Sequence, residues 1–545
     1  MPAPAQGPRP PGASALLATA LVALVALGCA ATGRRHRPPP AAARAAAPAV
    51  VPLAPSGAFR WLVPTAGPPV SVAAENRRPG TRAWRLPGPR VDRGGVAFGD
   101  VHGYVSDPAV MAGQIERVYV SAPGAPYVRI RVFRIGWYGG AGGREVLASR
   151  RLRLVAQPPC AHRPRTGLTE CRWHPTLSFQ IPSGLTSGVY VVRLDVPRGA
   201  SDCLFVVRAR EPAPLLVQLP TATYEAYNAW GGDSLYPGGA DRVGITHTTQ
   251  GVEVSYDRPY DSLTGAGQLF ARDVAMVWFL ERYGYPVSYT TSESVDEDPG
   301  QLMAARAILD FGHSEYWSER QAEAFARARD AGRSLLFLSS DTLAWRIRFA
   351  RADTASSSPG APDHVIVAYK EHAALDPDFA DPTGPFPAGG ASLTGSAYLG
   401  CITPRVPGGG PPVYRYYSWR PAPGLTPRWL FAHTGITATT SIPGIVGYEL
   451  DARTAASPPG TRVVGFGPAV CMRPAGESAP GRRPPEAQST IYTTRAGGLV
   501  FAAGTLGWEL GLEPVPSASP DAPRAPDPRL VRLTRNLLGR ALRAR

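Results

Sequence analysis

A histidine and a glutamate stand two residues apart in the segment 308–321, ILDFGHSEYWSERQ, where an apolar run predicts the end of a buried strand. Residues i and i+2 of an extended chain point to the same side, so His313 and Glu315 can face one cleft. An imidazole beside a carboxylate can bind a metal ion or transfer a proton. Such a pair can also have a purely structural role, in which the two side chains form an internal hydrogen bond. The predicted elements around the pair help to distinguish this structural role from a functional one.

The elements around this pair predict a parallel sheet. Downstream of residue 212, buried strands alternate with segments that have apolar residues at helical spacing. The strands are PLLVQLP, PVSYTTSES, RAILDFG and SLLFLSS, and the helices are GQLFARDVAMVWFLERYG and SERQAEAFARARDAG. This order is typical of a doubly wound α/β domain, predicted here over 212–512, whose chemistry lies beyond the carboxyl ends of the strands. His313 and Glu315 follow one strand and Asp341 follows the next.

Residues 58–208 have a different pattern. Short runs of period-two hydrophobicity, separated by Gly/Pro turns, predict strands at ERVYVSAPG, YVRIRVFRIGWYGG, REVLASRRLRL, LSFQIP, GVYVVRLDV and CLFVVRA. Such a series is typical of a β-sandwich. The segment AREPAP marks the boundary between the two regions.

The N-terminal 28 residues are expected to be an export signal. Their apolar run has the length of a signal-peptide core, and the small residues before Cys29 resemble a bacterial lipoprotein processing site. A retained membrane anchor is the alternative. Residues 29–57 are predicted to be an Ala/Pro-rich disordered tether, so membrane contact is expected only through a lipid at Cys29.

Five further cysteines bear on the oxidising compartment that export implies. Cys160 and Cys171 are near neighbours and are the pair we expect to form a disulfide. Cys401 with Cys471 is a weaker pairing, which leaves Cys203 without a partner. No CxxC pair is present, so a zinc ribbon is not expected.

The net charge of +15 does not indicate nucleic-acid binding. Lys370 is the single lysine among 57 basic residues, and the arginines are scattered along the chain without a nucleic-acid motif. Residues 513–545 are predicted to be a Pro-rich linker followed by a basic amphipathic helix. That helix should pack back on the domain, with a membrane-surface role as the alternative.

Several segments together resemble the large (beta) subunit of N,N-dimethylformamidase. They are YEAYNAWGGDSLY, SYDRPY, GHSEYW, SSDTLAWRIR and IPGIVGYELD, preceded by FRIGWYGGAGGREV and PSGLTSGVYVVRL. The resemblance implies an immunoglobulin-like β-sandwich followed by a domain with the fold of class I glutamine amidotransferases. It also implies a mononuclear Fe(III) site held by two tyrosines and a glutamate.

Carried onto this chain, the resemblance assigns Glu315, Tyr227 and Tyr260 as the metal ligands. Tyr224 and Tyr256 are close enough in sequence that a shifted assignment stays open. Phenolates and carboxylates are hard oxygen donors that suit ferric iron.

The same resemblance implies three catalytic residues. His313 would lie next to the metal, Glu449 would be a catalytic carboxylate, and Asp341 stands where the family leads us to expect asparagine. A ferric ion would lower the pKa of bound water and polarise an amide carbonyl. His313 or Glu449 would then move the proton to the leaving amine.

The expected function is an exported, iron-dependent hydrolase of a small amide, as a homo-oligomer or with a small partner subunit. One alternative is a non-catalytic surface protein that binds carbohydrate or peptide on the same scaffold. Another is a carbohydrate-active module, because Trp230, Trp317 and Trp345 fall near the expected cleft.

Overall fold

The computed structural model describes residues 57–86, 101–236, 250–261, 264–350, 364–400, 416–468, 486–515 and 522–543. The predicted export signal, nearly all of the predicted tether and the cysteines Cys29, Cys401 and Cys471 lie outside these ranges.

The first region consists almost entirely of strands. In chain order its elements are β1 (Phe59–Trp61), α1 (Val72–Glu75), β2 (His102–Val105), β3 (Ala109–Val110), β4 (Ile115–Ser121), β5 (Tyr127–Ile135), β6 (Gly143–Arg153), β7 (Ala161–Arg163), β8 (Leu168–Glu170), β9 (Pro175–Gln180), β10 (Gly188–Val196) and β11 (Gly199–Val207). The strands predicted from period-two hydrophobicity are confirmed as β4, β5, β6, β9, β10 and β11.

These strands form antiparallel-rich sheets around one apolar core. A six-stranded sheet has the order β1-β6-β5-β10-β11-β3, and a three-stranded sheet has the order β2-β4-β9. Both sheets contribute to the same core, Val118 and Phe179 from the smaller and Val132 and Phe205 from the larger. Alternate residues of each strand point inwards, which explains the period-two pattern in the sequence.

The second region mixes strands with helices. Its elements are β12 (Leu215–Leu219), α2 (Thr221–Ala226), β13 (Glu253–Ser255), α3 (Val274–Arg282), β14 (Val287–Thr291), α4 (Ser292–Glu297), α5 (Gln301–Ala304), β15 (Ala307–His313), β16 (Tyr316–Ser318), α6 (Glu319–Asp330), β17 (Ser334–Ser340), β18 (Trp345–Ala350), β19 (Val365–Val367), β20 (Gly384–Pro385), α7 (Ala391–Thr394), β21 (Ala397–Tyr398), β22 (Tyr417–Pro421), α8 (Arg428–Phe431), β23 (Ile442–Val446), β24 (Asp451–Ala452), β25 (Arg462–Pro468), β26 (Glu486–Thr493), β27 (Leu499–Ala502) and α9 (Pro528–Ala541).

A large mixed sheet organises this region. Its strand order is β14-β12-β15-β17-β27-β26-β25-β22-β23. The first five strands run parallel to one another, which confirms the parallel pairing predicted for the four buried strands. The remaining four continue the sheet antiparallel. The parallel part therefore places the carboxyl ends of β12, β15 and β17 side by side.

Both faces of the parallel strands are covered. Leu215, Val217 and Leu219 of β12 pack into a core that also contains residues of α3 and α9. Leu216, which points to the opposite face, packs into a separate core with Phe325 of α6. Burial on two faces explains why these strands read as continuous apolar runs.

The signals for helix α6 lie in its own sequence. The Ser318 side chain accepts a hydrogen bond from the Gln321 backbone amide at 3.0 Å, which satisfies one of the open donors at the helix start. Gly332, with φ +84°, follows the last turn in a backbone conformation that favours glycine. Helix α3 is shorter than predicted, because a 3₁₀ turn at Leu269–Ala271 precedes it and Arg272 adopts φ −160°.

The two regions belong to one compact unit, Val51–Arg545. A fully buried ion pair joins them, with the Arg134 guanidinium on β5 bonded to both oxygens of Glu281 on α3 at 2.8 Å. The C-terminal helix α9 buries Leu530, Leu533 and Leu537 against the second region, which confirms that it packs back on the domain. None of the helices in the described ranges combines the length and apolar character needed to cross a bilayer.

Candidate metal centre

Three neighbouring strands of the parallel sheet deliver side chains to one place. Strand β12 leads through helix α2 to Tyr227, which is the C-cap of that helix. Strand β15 ends at His313, and Glu315 lies in the short connection to β16. Strand β17 ends at Ser340, directly before Asp341. The predicted sheet edge is therefore where these residues meet.

The Glu315 carboxylate is the hub of the site. Tyr227 Oη donates to Glu315 Oε2 at 2.8 Å. Tyr236 Oη donates to Glu315 Oε1 at 2.5 Å, and Trp345 Nε1 donates to the same oxygen at 2.8 Å. The side chain is almost fully buried, with 3% of its surface exposed. Three donors on one buried carboxylate fix its orientation.

The two tyrosines at this hub also contact each other. The rings of Tyr227 and Tyr236 stack with centroids 4.4 Å apart, and their hydroxyl oxygens are 3.0 Å apart. Burial raises the pKa of each phenol well above its ordinary value, and the nearby charge of Glu315 raises both further. Both phenols are therefore protonated unless a metal ion binds their oxygens.

His313 lies beside the hub but is not bonded to it. Its Nε2 is 3.4 Å from Glu315 Oε2 and 3.6 Å from Asp341 Oδ2, and neither ring nitrogen has a hydrogen-bond partner among the described residues. Burial, and then the charge of Arg272, lowers the pKa of His313 well below its ordinary value. The imidazole is therefore neutral near pH 7 and keeps a lone pair for a metal or a proton.

Asp341 is held in a strained backbone conformation. Its φ is +54°, in the left-handed region that disfavours residues other than glycine. The Asp451 carboxylate supports it by accepting from the Asp341 amide at 2.7 Å and from Ser340 Oγ at 2.8 Å. Burial, then the charges of Glu315 and Glu449, raises the pKa of Asp341 well above its usual range.

Glu449 completes the acidic side of the site. It lies between β23 and β24, and its carboxylate is hydrogen-bonded to the hydroxyl of Tyr398, whose ring is 41% exposed. Burial raises the pKa of Glu449 to about 8, even though that hydrogen bond opposes the change. Its Oε2, like Oδ1 of Asp341, is buried and has no hydrogen-bond partner in the part of the chain that the structure describes.

This arrangement could hold a metal ion. One donor atom from each of His313, Glu315 and Asp341 lies within 4.8 Å of the others, and all three residues are buried. Unpaired buried polar atoms are rare in folded proteins, because each costs roughly 1–3 kcal/mol. The orphaned atoms of His313, Asp341 and Glu449 around a tyrosine-bonded carboxylate therefore fit a cation or a polar ligand.

A lysine borders the site from behind Tyr236. Lys370 Nζ lies 3.5 Å from the Tyr236 ring centroid, 5.1 Å from that of Trp345 and 5.9 Å from that of Tyr316. Nζ also donates to the backbone carbonyl of Leu235 at 3.2 Å, and the residue is buried. The single lysine of the chain thus places its ammonium in an aromatic cage next to the hub.

Comparison with known proteins identifies the family. Residues 129–522 match the family described as N,N-dimethylformamidase beta subunit-like, C-terminal, over well more than half of the chain. The chain belongs to this N,N-dimethylformamidase-related family. No curated protein matches it.

The two tyrosines that the family resemblance predicted as metal ligands have different surroundings in the structure. Tyr227 lies on Glu315. Tyr260 lies beside Glu225, Glu293 and Arg258, whose charges act on its pKa, and the interactions of the described residues do not link it to Glu315. Tyr260 as a ligand therefore stays a prediction.

The two alternative tyrosines also lie elsewhere. Tyr224 donates a short hydrogen bond to Asp273 Oδ2, and Tyr256 donates to Glu293 Oε2 at 3.3 Å. Neither makes a hydrogen bond to Glu315 within the described ranges. The second tyrosine that donates a hydrogen bond to Glu315 is Tyr236, which was not predicted from the sequence. It closes the same family segment, YEAYNAWGGDSLY, and that shared segment is the signal that could have found it.

The aromatic residues on which a carbohydrate-active module would depend are largely inaccessible. Trp317 is fully buried, and Trp230 is 8% exposed. Trp345 is half-buried, and its indole nitrogen is used on Glu315. A sugar needs an exposed ring face on which to stack, so the geometry does not support this reading.

Proposed function

We propose that the protein is an exported, iron-dependent hydrolase of small amides, as its relationship to N,N-dimethylformamidase suggests. One observation supports this most directly. Two tyrosine hydroxyls converge on the buried carboxylate of Glu315, next to a neutral histidine and two acidic side chains with unpaired atoms.

Tyr227, Tyr236 and Glu315 are the residues that would hold the iron. They supply two phenolates and a carboxylate, a donor set that prefers a hard trivalent ion to zinc or copper(I). When bound, Fe(III) would supply Lewis acidity, lowering the pKa of water and polarising an amide carbonyl. His313 and Asp341 offer an alternative ligand pair with Glu315, which would suit a divalent ion.

The remaining side chains can move the protons of amide hydrolysis. Neutral His313 has an unpaired ring nitrogen at which it can accept a proton from the nucleophile. Glu449, whose pKa is raised to about 8, is a carboxylic acid at neutral pH and can donate a proton to the leaving nitrogen. Two titratable groups whose pKa values are shifted in opposite senses are what acid–base catalysis requires.

The substrate is a small amide in this proposal. Asp341 borders the site where the family resemblance leads us to expect asparagine. With its pKa raised by burial, a protonated Asp341 would donate one hydrogen bond to the substrate, where an asparagine amide could donate two. We expect this difference to change the choice of amide and not the class of reaction.

We also propose a domain fold for each of the two regions. We assign residues 58–208 to an immunoglobulin-like β-sandwich, because two antiparallel-rich sheets share one core. Residues 212–512 are assigned to a class I glutamine amidotransferase-like domain, because helices cover both faces of a parallel sheet.

The location and partners are proposed on related grounds. The Cys160–Cys171 disulfide favours an oxidising compartment outside the cytoplasm. Within that setting we propose an exported protein with a lipid at Cys29, acting as a homo-oligomer or with a small partner subunit. Radiolabelled fatty acid incorporated by the full chain, but not by Cys29→Ser, would support the lipid.

The test of the proposed function is iron content with an absorption spectrum. Protein purified with iron available should hold one iron per chain and show a phenolate-to-iron charge-transfer band. It should also release amine from at least one member of a panel of small formamides and acetamides. Metal without the band would favour the His313, Glu315 and Asp341 ligand set. Protein without metal or amine release would overturn the proposal in favour of a non-catalytic binding protein.

A further inference from the structure

A disulfide-closed hairpin of the first region lies against the loop that carries Tyr236. This disulfide hairpin comprises residues 160–171, with strands β7 and β8 paired to each other and a bridge between Cys160 and Cys171. The Tyr236 loop comprises residues 229–236. The hairpin contributes no side chain to the metal centre described above, but it contacts the loop that carries Tyr236.

Backbone hydrogen bonds attach the hairpin to the second region. The Cys171 amide donates to the Asp257 carbonyl at 2.7 Å. The carbonyl of Thr166, at the hairpin turn, accepts from the amides of Val252 and Glu253 at 2.7 and 3.1 Å. The hairpin is therefore fixed at both its end and its turn.

The hairpin also contacts the Tyr236 loop directly. Thr169 Oγ1 donates to the Gly231 carbonyl at 3.3 Å and lies 3.1 Å from His162 Nδ1. A Cβ added at Gly232 would lie 2.0 Å from that same Thr169 oxygen. The loop backbone thus packs on the hairpin so closely that no side chain fits between them.

The start of the loop is anchored by other residues of the first region. Trp230 Nε1 bonds to His102 Nδ1 at 3.1 Å, and its ring packs edge-on against Trp173 with centroids 5.9 Å apart. Trp173 lies two residues after Cys171. Six residues after Trp230, the loop ends at Tyr236 on the Glu315 carboxylate.

We propose that the disulfide hairpin is a positioning element for the metal centre, holding the Tyr236 loop so that the Tyr236 hydroxyl reaches Glu315. The ligand role of Tyr236 rests on the proposed function, but the positioning does not. An isolated two-stranded hairpin is marginally stable by itself, and all three residues of β7 are exposed. The Cys160–Cys171 bridge is the covalent link that keeps it formed.

The test compares Cys160→Ser/Cys171→Ser with the wild type, both as full chains. Hydrogen exchange is the first measurement, because it needs no metal. Exchange of residues 229–236 should become about tenfold faster in the double variant, while that of strand β15 stays the same. Cys203→Ala, which removes the buried free cysteine of the first region, is the matched control and should leave residues 229–236 unchanged.

The second measurement is the metal centre itself. The double variant should change the charge-transfer band in the way that Tyr236→Phe does, and should release iron to a chelator about tenfold faster. In a Tyr236→Phe background the loss of the disulfide should have no further effect on the band. A merely structural disulfide would lower stability without this dependence on Tyr236.

The outcomes separate the two proposals. Unchanged exchange at residues 229–236 in the double variant would overturn the positioning role, whatever the metal content. Wild-type protein without iron would contradict the proposed function and leave the exchange experiment to decide the positioning. If the double variant fails to fold, Thr169→Val removes the hydroxyl that contacts the Gly231 carbonyl and His162 and leaves the disulfide in place. It should speed exchange in the same residues, and no change there would also overturn the inference.

Discussion

The two halves of the candidate site share Glu315 but differ in how their polar atoms are satisfied. On one side, Tyr227, Tyr236 and Trp345 all donate to the Glu315 carboxylate. On the other side, within the described ranges, His313 has two ring nitrogens without hydrogen-bond partners, and Asp341 and Glu449 each have one such oxygen. The polar atoms of the first half are satisfied within the protein, whereas the second half offers buried donor and acceptor atoms to a ligand.

This difference indicates a division of labour. A network whose donors and acceptors are matched holds its geometry before any ligand arrives. Buried atoms without partners are costly, and a fold keeps them where a ligand will use them. We therefore expect changes in the first half to act on metal binding, and changes in the second half to act on turnover.

The largest effect should come from the shared residue. Glu315→Ala should abolish iron binding and amide hydrolysis together, because it removes a ligand and the acceptor shared by Tyr227, Tyr236 and Trp345. The loss of these hydrogen bonds should also lower stability by roughly 1–3 kcal/mol, measured by urea unfolding. Glu323→Ala, at an exposed position on α6, is the matched control and should retain both properties. Iron retained in Glu315→Ala would show that the hub is not a ligand.

Variants in the second half of the site should lose turnover without losing the metal. Glu449→Gln keeps the size of the side chain and its acceptor oxygen but cannot release a proton. We expect kcat to fall by about 10²- to 10⁴-fold with iron content unchanged, measured by amine release and by metal analysis. Asp341→Asn should mainly change KM across a panel of amides. Loss of iron in Glu449→Gln would mean that the two halves are not separate.

A matched pair of variants sharpens the assignment of the second tyrosine ligand. Tyr236→Phe removes the hydroxyl on Glu315 Oε1, and Tyr260→Phe removes one that lies among Glu225, Glu293 and Arg258. The first should release iron about a hundredfold faster and alter the charge-transfer band, and the second should do neither. The reverse result would restore the ligand set predicted from the family resemblance.

The contrast between these tyrosines also shows what a sequence can predict. His313, Glu315 and Asp341 follow apolar strands, and the carboxyl ends of adjacent parallel strands share an edge, so local patterns located them. Helix α6 carries its own start and stop signals at Ser318 and Gly332. These are properties of short segments, which is why the sequence determines them.

Tyr236 depends on contacts that are distant in the sequence. Its loop is held by Thr169 and His102 of the first region and by Lys370 beyond the site. Hydrophobic periodicity describes short segments and does not predict contacts between residues that are far apart in the sequence. The antiparallel strands β22, β23 and β25 that extend the large sheet were missed because each contains proline or glycine, which weaken the strand pattern, so that pairing with other strands stabilises them.

The acidic half of the site should give the metal-free protein an unusual pH dependence. Glu449 has a pKa raised to about 8 in the folded state, against an ordinary value of 4.5. Between these values the folded protein holds a proton that the unfolded chain releases, so stability falls as pH rises through this window. One proton corresponds to about 1.4 kcal/mol per pH unit.

Urea unfolding of metal-free protein at pH 5.5 and 7.5 tests this dependence. Glu449→Gln should reduce the loss of stability between the two values, because the amide does not titrate. Glu323→Gln, at an exposed position on α6, should leave the loss as it is in the wild type. Equal slopes for wild type and Glu449→Gln would contradict a buried, proton-holding Glu449.

The smallest effect should come from changes to Lys370, whose ammonium lies next to Tyr236 in the first half of the site. The Lys370 ammonium lies over the Tyr236 ring and bonds to the Leu235 carbonyl, so it supports the phenolate form of Tyr236 by charge and its position by contact. Lys370→Met keeps much of the shape and loses the charge, whereas Lys370→Arg keeps the charge in a planar group too wide for the cage. Each should speed iron release by about tenfold or less, measured by chelator competition. Hydrogen exchange at residues 229–236 then separates the two causes, because faster exchange reports the lost contact with the Leu235 carbonyl, and unchanged exchange leaves the charge as the cause. If neither variant changes iron release, Tyr236 needs no support from a neighbouring cation, and the hairpin on the other side of its loop is sufficient to hold it.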